Sequence, residues 1–194
     1  MINPVELAGF LLSLAMVYCN IKEIHWGWPL AILSSALYSA VFWENQLYGE
    51  SILQLMFILM AAWGWHQWRQ GEVATPSQAP TTSMPLAISW LEKPERFKVL
   101  AAILVAWPAL TYFLDHFTDS DVAPWDGLVT AMSLTAQYLL GRKKMENWGV
   151  WILVNLLTVG LMVWKSLWLT AVLYGIFAIL SIVGWRTWRA KQSV

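Results

Sequence analysis

Seven apolar runs, each close to the length of a bilayer crossing, govern what this chain can fold into. A membrane's hydrocarbon core is about 30 Å thick, and a helix needs about 20 mostly apolar residues to cross it. Runs of that kind cover 5–21, 27–43, 48–68, 97–114, 125–141, 148–164 and 168–188, separated by charges or turn residues. Lipid offers no partner to a backbone N–H or C=O, so such runs close their hydrogen bonds internally as helices. The expected fold is therefore an all-α membrane protein of seven transmembrane helices. Composition agrees, with 58% hydrophobic and 12% charged residues, where a soluble domain carries roughly 25% charged.

Charge and cysteine content remove several functional classes. Twelve Lys and Arg balance twelve Asp and Glu, so no overall field would hold a nucleic acid. Cys19 is the single cysteine, which excludes an intrachain disulfide and a Cys-based metal site. His25, His66 and His116 fall at or beyond span ends, and the chain has no His-Glu-x-x-His, Gly-x-Ser-x-Gly or Walker A pattern. We therefore expect no enzymatic activity, no metal and no cofactor.

Basic residues set the orientation, because Lys and Arg are retained on the cytoplasmic face. With seven spans, Lys22, Arg69, Lys93, Arg96, Lys98, Arg142, Lys143, Lys144, Arg186, Arg189 and Lys191 share one side and Lys165 stands alone on the other. The N-terminus is thus expected outside and the C-terminus in the cytoplasm. The first residues lack a basic n-region and an Ala-x-Ala site, so 1–21 reads as a first span rather than a removed signal. The polar stretch 69–96, broken by Pro76, Pro80 and Pro85, reads as a surface loop, with Leu86–Leu91 a short interfacial segment within it.

Shifting the sequence by 120 residues aligns 26–69 with 146–189 without a gap. Trp28, Phe57, Gly64, Trp65, Trp68 and Arg69 then meet Trp148, Phe177, Gly184, Trp185, Trp188 and Arg189. Spans two and three match six and seven, so span one matches five and span four is a lone connector. The plan is 3+1+3: a first three-helix bundle over 1–68, a loop over 69–96, a connector helix and outer loop over 97–124, and a second bundle with its tail over 125–194. Four spans separate equivalent positions, so the repeats run parallel, as in transporters whose substrate site lies between two matched halves.

Polar residues at membrane depth are costly unless they face protein or a wet cavity, which makes each a candidate for substrate binding. Asn147, Trp151 and Asn155 follow one another at four-residue intervals on one face of span six. An indole face beside an amide suits a neutral or cationic aromatic ligand; the competing role is an interhelical hydrogen bond. Gln54 in span three, Gln137 in span five, Tyr38 in span two and Trp43 at its outer end complete the candidate set. Ser34 and Ser35 fit close helix packing better, and the Trp residues at the basic ends of spans three and seven fit an interfacial belt. No carboxylate lies deep in a span, which favours facilitated diffusion over ion coupling.

These residues give the chain a resemblance to the PnuC family of bacterial vitamin transporters. It is carried by Gln46-Leu47-Tyr48 with Leu53-Gln54, Gly64-Trp65 with Trp68, Pro124-Trp125-Asp126, Arg142-Lys143-Lys144, and above all Glu146-Asn147-Trp148 continuing to Trp151 and Asn155. The resemblance implies a SWEET-like 3+1+3 fold, a homotrimer in the bacterial inner membrane, and uptake of nicotinamide riboside, with relatives carrying thiamine or riboflavin. It also implies facilitated diffusion, with trapping of the vitamin by a cytoplasmic kinase that acts downstream. Competing readings are a thiamine transporter of the same family, a membrane vitamin sensor that binds without moving its ligand, and a sugar carrier of SWEET type.

Overall fold

Each apolar run becomes one helix. The computed structural model describes residues 4–44, 48–70, 86–118, 120–166 and 168–192. Along it run α1 (Pro4–Ile21), α2 (Gly27–Glu44), α3 (Tyr48–Gln70), α4 (Lys93–Phe117), α5 (Ala123–Gly141), α6 (Glu146–Trp164) and α7 (Trp168–Gln192). Of these, α4, α6 and α7 are unambiguously long and apolar enough to cross a membrane. Helices α3 and α4 take over both margins of the 69–96 loop. Helix α4 starts at Lys93 because Glu92 and Glu95 form a capping box, with Glu92 N–H donating to Glu95 Oε2 at 3.0 Å, and because Pro94 lacks the N–H that a first helical turn leaves unpaired.

The helices pack as a ring. Helix α1 lies against α2, α2 against α3, α3 against α5, α5 against α6, α6 against α7, and α7 closes back on α1. Helix α4 stands outside, packed mainly on α5. There Gly127 brings the two backbones together beside Thr111, and the Trp107 indole donates to Pro124 O at 2.7 Å. In this order α1 and α5 are opposite one another.

Stretches 120 residues apart share local contacts as well as sequence. Trp28 sits on Gly64 and Trp148 on Gly184, so closely that a Cβ at either glycine would fall within 3.0 Å of the indole. Each of these indoles meets a second edge-on, Trp28 on Trp68 at 5.4 Å and Trp148 on Trp188 at 5.3 Å between centroids. The residues 120 positions apart also turn alike. Ile24 N–H donates to Cys19 O and Lys144 N–H to Leu139 O, both at 2.8 Å, which closes each helix with a six-residue Schellman turn. Glu23 and Lys143 take the left-handed position of that turn, with φ 58 and 48. The correspondence reaches back into the first helix of each half, where Ser13 and Ser133 each donate to the carbonyl four residues earlier.

Trp28, Trp148 and Trp188 with Ile21, Ala31, Ala61, Leu140 and Met145 form the buried core at the basic end of the ring, and Trp68 packs against it. Trp68, Trp185 and Trp188, expected from sequence in a lipid-facing belt, pack into or against this core instead; Trp188 is fully buried. Edge-on packing against Trp28 and Trp148 buries the Trp68 and Trp188 indoles more than an interfacial position would.

Gly64→Ala should destabilise the protein by about 1–3 kcal/mol, the usual scale of overpacking. Gly160→Ala, with open space where the methyl would go, should be neutral or slightly stabilising. Thermal unfolding in detergent distinguishes them, and equal midpoints would contradict the indole-on-glycine seat.

Candidate functional site

A cavity of about 180 Å³ lies between the opposed helices α1 and α5, walled on one side by α6 and α7. Helix α1 contributes Ser13, Met16, Val17 and Asn20, and α5 contributes Gln137 and Leu140. Helix α6 adds Trp148, Trp151 and Asn155, and α7 adds Tyr174, Phe177 and Ser181. Val17 and Gln137 are equivalent positions of the two halves, as are Asn20 and Leu140, so the cavity straddles the relation between them.

Trp151, Asn155 and Gln137 thus come together from two helices. Asn155 is buried, and its Nδ2 donates to Ser181 Oγ at 3.3 Å while Ser181 donates on to Phe177 O at 2.8 Å. Gln137 is buried too, and its amide enters no hydrogen bond among the described residues. The other candidates lie off the lining. Asn147 is fully buried and its Nδ2 donates to Lys144 O at 2.6 Å, fastening the α5–α6 loop. Tyr38 packs against Gly9, where a Cβ would come within 2.8 Å of its hydroxyl. Gln54 is half-buried on α3, and Trp43 is 61% exposed at the far end of α2.

The lining also holds residues that sequence reasoning passed over. Asn20 sits in the last turn of α1, where a polar residue at a span end carries no signal. Tyr174 did have one: the 120-residue shift carries Gln54 onto it. Among the lining residues there is no Asp, Glu, Lys, Arg or His. Two larger hollows, about 560 and 720 Å³, run along the α4–α5 flank. They open beside the most exposed face of the ring, with Phe97 75% and Val105 72% accessible, and in a bilayer that face meets lipid or another protein.

The basic end of the ring is tied shut below the cavity. Lys143 Nζ lies 2.7 Å from Glu23 Oε2 and Lys191 Nζ 2.6 Å from Glu23 Oε1, so equivalent loops of the two halves meet as opposite charges. Lys143 also sits 4.9 Å over the Trp68 ring. Burial alone would push the Glu23 carboxyl up, but hydrogen bonds and charge from Lys143 and Lys191 outweigh it and hold it below its ordinary 4.5. Residues 86–92 run extended beneath. Ser89 N–H donates to Lys143 O at 3.1 Å and Met145 N–H to Ser89 O at 2.9 Å. Leu91 N–H donates to the Glu146 carboxylate at 3.0 Å, and Gln192 Nε2 to Ile88 O at 3.0 Å. The segment expected at the lipid interface is thus a strap across the α5–α6 loop and the end of α7. At the opposite end the lone Lys165 is matched by Asp121 at 2.5 Å.

A ring of apolar helices, four of which line a small, partly polar chamber, fits a multi-pass membrane protein of the transporter class. A family model described as "Nicotinamide mononucleotide transporter" matches residues 3–190, and the chain belongs to that family. Its members are transporters, not enzymes. The chain is 22% identical to the nicotinamide riboside transporter PnuC of Escherichia coli (strain K12), over 95% of this chain and 84% of that one. It is 26% identical to the riboflavin/roseoflavin transporter RibM of Streptomyces davaonensis, over 94% and 83%. A crystal structure of the vitamin B3 transporter PnuC has the same fold, with a TM-score of 0.71, 24% identity, and coverage of 94% of this chain and 79% of that one.

The Glu23–Lys143 pair generates a prediction. In a double-mutant cycle of Glu23→Gln and Lys143→Met, we expect a coupling of about 1 kcal/mol, the upper range for a partly exposed pair. Because the folded-state Glu23 is held low, that coupling is whole above pH 4.5 and fades as pH falls through its lowered value. A coupling of zero at neutral pH would show that the two loops are not tied by this pair.

Proposed function

We propose that this protein carries nicotinamide riboside across the bacterial inner membrane, binding it in the α1–α5 cavity and exposing it alternately to the two sides. The observation that carries this reading is the meeting of Trp151, Asn155 and Gln137 with Tyr174 and Phe177 in one chamber. Flat aromatic walls hold a ring, and they hold a cationic one better through its charge. The amides suit a hydroxyl-bearing arm.

The absence of a basic residue from the lining separates the riboside from the mononucleotide. A phosphate taken from water into this chamber would have no cation to meet it, a cost that a neutral ribose avoids. The absence of an acid supports facilitated diffusion: no lining group is placed to bind a coupling proton or sodium ion. A cation would still move down the membrane potential, with about 2.3 kcal/mol per 100 mV.

Small-molecule pockets usually span about 300–1,000 Å³, so the 180 Å³ chamber corresponds to a narrow state that widens as substrate enters. Widening by rocking two three-helix units, in a SWEET-like 3+1+3 plan with α4 as connector, is part of the proposal. The loops bearing Glu23 and Lys143 face the cytoplasm in it, so their ion pair is the inner closure. Tyr38, Trp43 and Gln54 lie outward of the chamber, on the route by which substrate arrives, and Asn147 holds the inner loop. We include in this reading a homotrimer and trapping of the vitamin by a cytoplasmic kinase.

Purified protein in liposomes tests it. Labelled nicotinamide riboside should equilibrate across the membrane, with unlabelled riboside competing and the mononucleotide and glucose failing to compete. Trp151→Ala and Asn155→Leu should each cut uptake at least tenfold without reducing membrane insertion. Retention of only one ligand per protein would instead make this a sensor, and stronger competition by thiamine or riboflavin would reassign the substrate.

A further inference from the structure

Two polar groups at the inner end of the chamber have no partner among the described residues. Asn20 is 6% exposed, and its Oδ1 is buried without a hydrogen bond. Trp148 is 2% exposed, and its indole N–H is likewise unmatched. Both line the cavity. An unpaired polar atom in so dry a place is costly unless something bonds to it.

The fold does not require an amide there. The position equivalent to Asn20 in the second half is Leu140, 2% exposed and lining the same cavity. One half of the fold therefore fills this site with a hydrocarbon side chain, and the other places a carboxamide in it. The neighbourhood is also cut to fit that carboxamide: a Cβ on Gly27 would lie 2.6 Å from Asn20 Oδ1. Asn20 stands seven residues along α1 from Ser13, as Trp148 stands from Asn155 along α6, a rise of about 10 Å in each case. The chamber thus has two polar poles with aromatic walls between. At one pole Asn155 and Ser181 already satisfy each other in part. At the other an acceptor and a donor stand unmatched among the described residues, closed off in this narrow state with Asn20 Oδ1 against Gly27.

We propose that Asn20 is a specificity-determining residue, and that with Trp148 it reads an uncharged amide on the ring of the ligand. Once the chamber widens to uncover the two groups, a ligand N–H donates to Asn20 Oδ1 and the ligand C=O accepts from Trp148 Nε1–H. A carboxylate in the same place has no hydrogen to give and leaves Asn20 Oδ1 facing another oxygen. This rests on the reading of the cavity as a nicotinamide riboside site and adds which end of the chamber takes the amide and which residue tells amide from acid.

Calorimetry on the full chain in detergent, with nicotinamide riboside and its ring-carboxylate analogue nicotinic acid riboside, tests the assignment. The ratio of the two dissociation constants does not depend on how much of a variant is folded. Wild-type protein should prefer the amide at least tenfold. Asn20→Leu should lower the preference at least threefold, leaving only what the cation-free lining imposes on an anion, and Asn20→Asp, which accepts but cannot donate and repels an anion, should raise it above the wild-type value. Should Asn20→Leu fail to fold, Asn20→Asp decides alone. A ratio unchanged by the variants overturns the role of Asn20 while leaving the functional reading in place. Failure of wild-type protein to bind either riboside overturns that reading and this assignment with it.

Discussion

An indole resting on a bare glycine backbone is the contact from which this structure is organised. Trp28 on Gly64 and Trp148 on Gly184 let neighbouring helices approach more closely than any side chain at the glycine would allow. Between helices in lipid, close backbone approach replaces the hydrophobic drive that holds soluble bundles together. The indoles then stack edge-on against Trp68 and Trp188, and the core they form sits at one end of the ring. The opposite helices α1 and α5 are left apart further along, and that gap is the chamber.

Much of this was legible in the sequence because a bilayer turns hydropathy into topology. The helix ends fall within a few residues of the apolar runs, and the 120-residue shift pointed to the matched tryptophans and glycines before any coordinates. The spacing of Trp151 and Asn155 on one face of α6 was readable for the same reason: a helical period fixes which residues travel together. What helical spacing does not encode is how far a neighbouring helix stands. The depth of Gln54 in span three makes it a candidate, but the position that lines the chamber is its repeat counterpart Tyr174. The strap at 86–92 was illegible for another reason. It is held through its own backbone groups, bonded to the α5–α6 loop and to the Glu146 and Gln192 side chains, so its own side chains carry little trace of the contact.

The two halves share a frame but differ where chemistry is expected. Asn155 faces Ser35 in the alignment, Gln137 faces Val17, Trp151 faces Ala31 and Asn20 faces Leu140. Equivalent loops likewise diverged to Glu23 and Lys143, so residues that the shared geometry brings together attract where a matched pair would repel. Differences of this sort keep the packing that holds the ring while making the chamber asymmetric.

A substrate-bound structure tests the central claim most directly. With nicotinamide riboside present, the account predicts a ligand between α1 and α5, its ring against Trp151 and its polar groups within hydrogen-bonding reach of Asn155, Gln137 or Asn20. A riboside found instead in the hollows along α4 and α5, with the chamber unchanged, would contradict it.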